Sequence, residues 1–280
     1  MTVLPYLKRK LLESYQRRNG RASIFLEDGR VELWLSRWAD GAWSTTRVEQ
    51  EMEPGLQSAV SSTPIFLKRA LAEQGMATPY LSLYLPDHLV DYRQWAISDA
   101  FAGRKRREYG IWKAGQTFSG GDGDWTAHLF NTESSVQYFR HHNSISELIR
   151  QLEEQALVAG VYPALHAFAL ATISTAPVCL LCLGFGRWWS HIAVVEGQLV
   201  FQRSHFEPDM ESVFADGELP AHLTEFAGLV RHFGRNLAEG VRPMIKVSDG
   251  FIEAVPGLLG QDCVTASVKE ETVYKQLHGI

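Results

Sequence analysis

Cysteine is scarce in this chain: Cys179, Cys182 and Cys263 are the only three in 280 residues. So small and odd a number excludes a disulfide framework and points to a reducing compartment. A basic excess is also missing. With 27 Lys and Arg against 32 Asp and Glu, the formal net charge is −5, which argues against a dedicated nucleic-acid binder, because affinity for phosphate backbones needs a strongly basic face. No apolar run follows Lys8-Arg9-Lys10, so no secretory signal is expected. The longest apolar stretch, residues 163–185, has the length of a bilayer span. His166, Thr172, Ser174, Thr175 and Pro177 interrupt it, and it reads as a buried helix, a turn and a buried strand.

What remains is ordinary globular composition, 45% hydrophobic and 21% charged. The length allows two domains, or one domain of two lobes. Charge is unevenly spread. Residues 1–21 hold six bases (Lys8, Arg9, Lys10, Arg17, Arg18, Arg21) and one acid, Glu13, a local charge of +5 against about −10 for the rest. Leu4, Leu7, Leu11 and Tyr15 recur there at helical spacing. This segment predicts a basic amphipathic helix that lies on an anionic membrane surface, docks on a partner, or packs as a solvated terminal helix on its own body.

From Ala22 the apolar period becomes two. Ser23-Ile24-Phe25-Leu26 and Val31-Glu32-Leu33-Trp34-Leu35 flank Glu27-Asp28-Gly29-Arg30, a hairpin signal, and a third strand is expected over 42–48. Thr63-Pro64 predicts a helix start capped by Ser62 or Thr63, with Ile65, Leu67, Leu71 and Ala72 as its apolar face and Gly75 as its stop. Residues 80–85 read as a buried strand ending at Pro86. Residues 87–143, with turn signals at Gly103, Gly115 and 119–124, read as an inserted subdomain holding a strand over 125–130. Ser144-Ile145-Ser146-Glu147 has the form of a capping box. The helix it heads presents Ile145, Leu148, Ile149, Leu152 and Ala156 and ends near Gly160, after which Val161-Tyr162-Pro163 breaks the chain. A second helix is expected over 164–172.

The second half repeats the first. Strands are expected over 178–183, 191–196 and 199–203, then a helix over 220–239 with Leu223, Phe226, Val230, Phe233 and Leu237 as its stripe, then a strand over 244–248. A short last helix or strand follows. A three-strand meander, a helix and a strand therefore occur twice. The fold class is α/β, duplicated, with a basic segment 1–21, a first lobe 22–165 carrying the insert of about 87–143, and a second lobe 166–280.

Several smaller features have ordinary readings. Cys179 and Cys182, three apart on a strand, face opposite sides and read as buried thiols, not a metal or redox pair. Residues 119–124 lack the ligand order of a calcium loop and read as a turn. His141-His142 reads as a surface pair. Arg104-Lys105-Arg106-Arg107 reads as a solvated loop, with an acidic partner or lipid headgroups as the functional alternatives. Trp34, Trp38, Trp43, Trp188 and Trp189 are too many in turns and hairpins to be all core, and exposed aromatics serve protein contacts. No metal site is expected.

The duplication resembles the actin-like ATPases (the actin, Hsp70 and sugar-kinase superfamily), in the PilM and FtsA branch with the cytoplasmic domain of GspL. Three segments carry the resemblance. Leu181-Cys182-Leu183-Gly184-Phe185-Gly186-Arg187, with the strands up to Phe201-Gln202-Arg203, is similar to the second phosphate-loop hairpin of that branch. Ile245-Lys246-Val247-Ser248-Asp249-Gly250-Phe251, followed by Val255-Pro256-Gly257-Leu258, is similar to its adenosine loop. Tyr84-Leu85-Pro86 with Val90 is similar to the segment that enters its inserted subdomain.

The departures from the family pattern matter as much. Active members place a carboxylate in each phosphate loop to hold Mg²⁺, and glycines that let backbone N–H groups meet phosphate. Here Gly184 stands at the second Asp position, with Arg187 and two tryptophans beyond Gly186. Asp28 and Gly29 stand in the wrong relation in the first loop, and Asp249-Gly250 after Ser248 replaces two glycines. The resemblance with these departures implies a pseudo-ATPase with no cofactor; ATP with Mg²⁺ is the alternative. It further implies a cytoplasmic scaffold at the inner-membrane face, for a type IV pilus or type II secretion assembly platform. The implied partner is a bitopic PilN-type protein, bound through its cytoplasmic N-terminus, with an assembly ATPase as a second partner and no nucleic acid. Ile65, Leu71, Leu83, Leu85, Val90, Trp95 and Phe101 are the partner-binding candidates. Lys8, Arg9, Lys10, Arg17, Arg18, Arg104, Lys105, Arg106 and Arg107 are the candidates for peripheral membrane or acidic-partner contact. A divergent ATPase or sugar kinase and an FtsA-like filament-forming adaptor are the competing readings. No transmembrane helix is expected, as in PilM and unlike full-length GspL.

Overall fold

The structure is a computed structural model. It describes residues 3–27, 29–86, 89–96, 104–117, 125–131, 135–165, 167–168, 177–185, 188–196, 198–206, 221–235, 243–248 and 264–279. The chain forms two compact units. One is built from residues 1–85, 124–126 and 141–162, the other from 86–123, 127–140 and 163–280. Most of the stretch read as an insert in the first lobe therefore belongs to the second unit.

The first unit holds a sheet in the order β3-β2-β1-β4-β8, from β1 (Arg21–Glu27), β2 (Arg30–Ala39), β3 (Ala42–Glu51), β4 (Tyr80–Leu85) and β8 (Leu157–Pro163). β1 and β2 pair antiparallel around the 28–29 turn, and β4 runs parallel to β1 with Ile24 opposite Leu83. One face of this sheet, with Ile24, Leu26, Leu33, Leu35, Leu81, Leu83 and Leu85, is wholly buried. Two helices that pack on each other, α2 (Leu56–Glu73) and α4 (Asn143–Glu153), add Phe66, Leu67, Leu71, Ile145, Leu148 and Leu152 to the core. α1 (Val3–Asn19) packs against β2 and β4. Gly20, at φ +86°, carries the chain from α1 into β1; a side chain there would run into the Ser36 carbonyl at 2.8 Å.

Four sequence expectations in this unit change. α2 begins at Leu56, not near Thr63, and carries Pro64 inside it. Ala59 and Val60 are buried and extend the apolar stripe backwards, so tertiary burial overrides the break at Pro64. Phe66 takes the inward position, and Ile65, read as part of the apolar face, is 73% exposed. The cap of α4 is His142, whose Nδ1 accepts from the Ser144 N–H, while Glu147 reaches forward to Arg150. Residues 157–163 form β8, not a helix end and a break. Pairing within the sheet, seen where the Leu157 N–H donates to the Pro79 carbonyl, decides the state of a segment with no local strand alternation.

The second unit repeats the order, β11-β10-β9-β12-β13, from β9 (Val178–Phe185), β10 (Trp188–Val195), β11 (Gln198–Phe206), β12 (Met244–Ser248) and β13 (Val264–Val268). β9 and β10 pair antiparallel, while β12 runs parallel to β9 and β13 parallel to β12. α5 (Ala221–Arg235) lays Leu223, Phe226 and Val230 on a core of Val178, Leu180, Cys182, Trp189, Ala193, Ile245 and Val247. α6 (Glu270–His278) buries Val273 and Tyr274. A three-stranded sheet, β5-β7-β6, comes from β5 (Val90–Ala96), β6 (Trp125–Asn131) and β7 (Ser135–His142). Between β5 and β6 the four consecutive cations open a helix, α3 (Arg104–Thr117), where a loop was expected. Cations in a first turn oppose the helix dipole, so their charge run concealed it.

Candidate functional site

The β1–β2 hairpin stands where the first phosphate loop was expected. Gly29 holds φ +86° in the turn, and its carbonyl accepts from the Met52 N–H at 2.9 Å, which ties the turn to the end of β3. Asp28 lies outside the described residues. Its neighbour Glu27 is nearly buried and bound by Arg30 in a fork: Nη2 donates to both carboxylate oxygens at 2.8 and 2.9 Å, and Nε to Oε2 at 3.1 Å. Such bidentate pairs fix geometry and neutralise the acid.

A second buried acid follows on β2. Glu32 is fully buried and accepts from the Trp34 indole N–H, and Arg47 of β3 reaches it with Nε at 2.8 Å and Nη2 at 2.9 Å. Burial raises its carboxyl pKa above the ordinary value, against the opposing pull of Trp34 and Arg47. Sequence periodicity placed Glu32 in a strand but gave no sign of this network, because Arg47 lies fifteen residues on.

The second hairpin is closed differently. Gly184 lies inside β9, paired with Trp189, and not in the turn where it was expected. A side chain on Gly184 would meet the Trp189 indole at 2.7–3.0 Å, so the ring lies on the glycine. The Gly184 N–H donates to Ser248 Oγ at the end of β12, at 2.8 Å. Two expected nucleotide positions thus come together, and they bond to each other. Gly186, Arg187, Asp249 and Gly250 lie outside the described residues.

The aromatics divide. Trp189 is 3% exposed and part of the core, and Trp34 is likewise buried. Trp38 and Trp43 stack edge to face at 5.4 Å, with Arg17 over one and Arg21 over the other. Of the adjacent pair Trp188-Trp189, Trp189 lies on the covered face of β10.

Among the partner-binding candidates, Leu71, Leu83, Leu85 and Val90 are buried, with 4%, 0%, 0% and 4% exposure, and a partner does not reach them without opening the core. Ile65 stands out from α2, Trp95 is half-buried on β5, and Phe101 lies outside the described residues. Of the basic candidates, Lys8 and Arg9 lie in α1, and Lys10, Arg17 and Arg18 are exposed on it; Tyr15 anchors that helix by donating to the Thr78 carbonyl at 2.8 Å. Arg104, Lys105, Arg106 and Arg107 form the first turn of α3, where Lys105 and Arg107 are exposed. His141, expected at the surface, is 2% exposed. Cys179 and Cys182 are both buried, and burial pushes both thiols up, with Lys246 opposing the shift at Cys179. One grouping has no counterpart among the sequence expectations: His191, His205 and Glu225, drawn together by β10, β11 and α5.

No protein-family profile and no curated protein sequence matches the chain. Solved structures do. A Bacteroides thetaiotaomicron VPI-5482 protein, described as having an actin-like ATPase fold and unknown function, aligns over 96% of this chain and 98% of its own at 10% identity, with a TM-score of 0.57. The chain has an actin-like fold. The PilM-PilN type IV pilus biogenesis complex aligns over 90% of each chain at 13% identity, TM-score 0.57. The cytoplasmic domain of EpsL, an inner membrane component of the Vibrio cholerae type II secretion system, covers 91% of this chain and 92% of its own at 9% identity, TM-score 0.52. The actin-like fold accounts for the two sheets of identical order.

Proposed function

We propose that the chain is a non-catalytic actin-like scaffold of a pilus or secretion assembly platform. In this reading it works at the cytoplasmic face of the inner membrane and holds the short cytoplasmic N-terminus of a bitopic, PilN-type partner. One observation carries it: the Gly184 amide bonds to Ser248 under the Trp189 ring. An amide so engaged does not meet a phosphate, and at Gly184 no carboxylate faces a magnesium ion. With Glu27 neutralised by Arg30, these residues do not fit Mg²⁺-ATP. A fold can outlive its chemistry, and the PilM-PilN complex and EpsL suggest the use that remains. Among the described residues no helix is long and apolar enough to cross a membrane; in this reading the partner supplies the attachment. The exposed Lys10, Leu11, Leu12 and Arg18 of α1 would add a peripheral contact.

The test is co-purification of the tagged full chain with detergent-solubilised inner-membrane proteins, beside an equilibrium titration with labelled ATP and Mg²⁺. The expected result is a single-span partner whose cytoplasmic N-terminal peptide suffices for binding, with an assembly ATPase as a second capture and no ATP binding in the micromolar range. Micromolar, Mg²⁺-dependent ATP binding would sink the scaffold reading and favour the divergent ATPase.

A further inference from the structure

His191 opposes Arg203 across the β10–β11 ladder, and His205 opposes Trp189. His191 and His205 are therefore diagonal neighbours on one face of the sheet, close enough for long side chains to meet. Their rings lie 4.6 Å apart, centroid to centroid. α5 covers this face, with Phe226 packed on His191 at 5.3 Å. The preceding residue on α5, Glu225, brings Oε2 to 3.4 Å from His205 Nε2, while its Oε1 accepts from Arg203 Nη1 at 2.8 Å. One ring nitrogen of each histidine and one Glu225 oxygen all lie within 4.8 Å of one another.

We propose that His191, His205 and Glu225 form a binding site for a divalent transition-metal ion, Zn²⁺ in the first instance, with solvent completing the coordination. Two imidazoles and a carboxylate are a donor set suited to zinc and its neighbours, and unsuited to Mg²⁺ or Ca²⁺, which take oxygen ligands. Metal–ligand bonds of about 2.0–2.1 Å put tetrahedral donors roughly 3.4 Å apart. His205 and Glu225 already stand at that spacing, and the His191 ring closes the triangle by a movement on the order of 1 Å.

The setting supports the chemistry. His191 is 0% exposed on the face that carries Trp189 and Ala193, where a Val or Ile would be easier to bury than an imidazole. His205 and Glu225 are only partly exposed, at 18% and 30% of their side chains, which leaves a path for the ion and room for water. Arg203 steadies Glu225 through the oxygen not turned to His205, as a supporting partner orients a ligand. A bound ion would pin α5 to the β10–β11 hairpin.

The test uses the full chain, stripped with a chelator and titrated with Co²⁺, whose visible d–d bands report coordination number and nitrogen ligation. The expected result is one equivalent of Co²⁺ with the bands of a four- or five-coordinate site, displaced by Zn²⁺, and a rise in Tm of roughly 4 °C or more at saturating Zn²⁺. His205→Gln and Glu225→Gln, both at partly exposed positions, should each weaken binding at least about tenfold. His191→Phe should abolish it while keeping a ring against Phe226. Absence of d–d bands in the wild type overturns the proposal. So does a stoichiometry and affinity unchanged in His205→Gln and Glu225→Gln, which would assign the Co²⁺ to other histidines.

Discussion

In the first sheet the β1–β2 hairpin is closed by charge: Arg30 forks across Glu27, and the next acid, Glu32, is held by Arg47 and Trp34. In the second sheet the β9–β10 hairpin is closed by bulk and a neutral hydrogen bond, the Trp189 ring on Gly184 and the Gly184 amide on Ser248. Strand order is the same in both. Topology thus places a loop, and side chains decide whether it can receive an anion. A charged closure is open to reversal by pH and by a competing cation, whereas a steric one yields only to a change of volume.

The comparison breaks most sharply at Trp189. Trp189→Ala should lower stability by about 3–5 kcal/mol in urea titration, through lost burial and a cavity, and it alone uncovers Gly184. An effect below 1 kcal/mol would mean the ring is not packed there. Gly184→Ala should come next, at roughly 1–3 kcal/mol from overpacking. In the Trp189→Ala background the same change should be close to neutral, and a double-mutant cycle with no coupling would remove the steric account.

For the charged hairpin, Arg30→Ala leaves Glu27 nearly buried without its main cation. Because Arg30 is itself partly exposed, the expected loss is about 1–2 kcal/mol, less than for a fully buried pair. Adding Glu27→Gln to Arg30→Ala should recover part of that loss, and no recovery would remove the charged account. The smallest effect is at Glu32. Its carboxyl titrates above the ordinary range in the folded chain, so the folded state takes up that proton before the unfolded state does. Its contribution to stability therefore falls as the pH rises from the ordinary carboxylate value to the raised one, and is level above it. Tm measured against pH should lose that slope in Glu32→Gln, and an identical slope in the variant would assign it elsewhere.

Much of the architecture was legible residue by residue. The alternation in 23–26 and 31–35, the Asp-Gly turn, and the Leu223, Phe226, Val230 stripe each predicted an element that exists, because amphipathic period is local. β8 was misread since Leu157-Val158-Ala159-Gly160 shows no alternation, and its state depends on an edge of sheet supplied by β4. The start of α2 was misplaced because Pro64 is a strong local signal that buried Ala59 and Val60 outweigh. At the candidate site, Gly184 and Ser248 were each singled out, but their mutual bond spans 64 residues and no spacing rule joins them.

The amino-acid sequence by itself determined the duplicated order of meander, helix and strand, together with a glycine, and not a carboxylate, at position 184. Both are written in neighbouring residues, where side-chain period and residue identity act directly. Only the tertiary structure decided that Trp189 turns inward onto that glycine, that Leu83 and Leu85 are core, and that His191, His205 and Glu225 share a corner. Those outcomes depend on strand register and on which helix covers which face, and both are set by the burial of residues far apart in the chain.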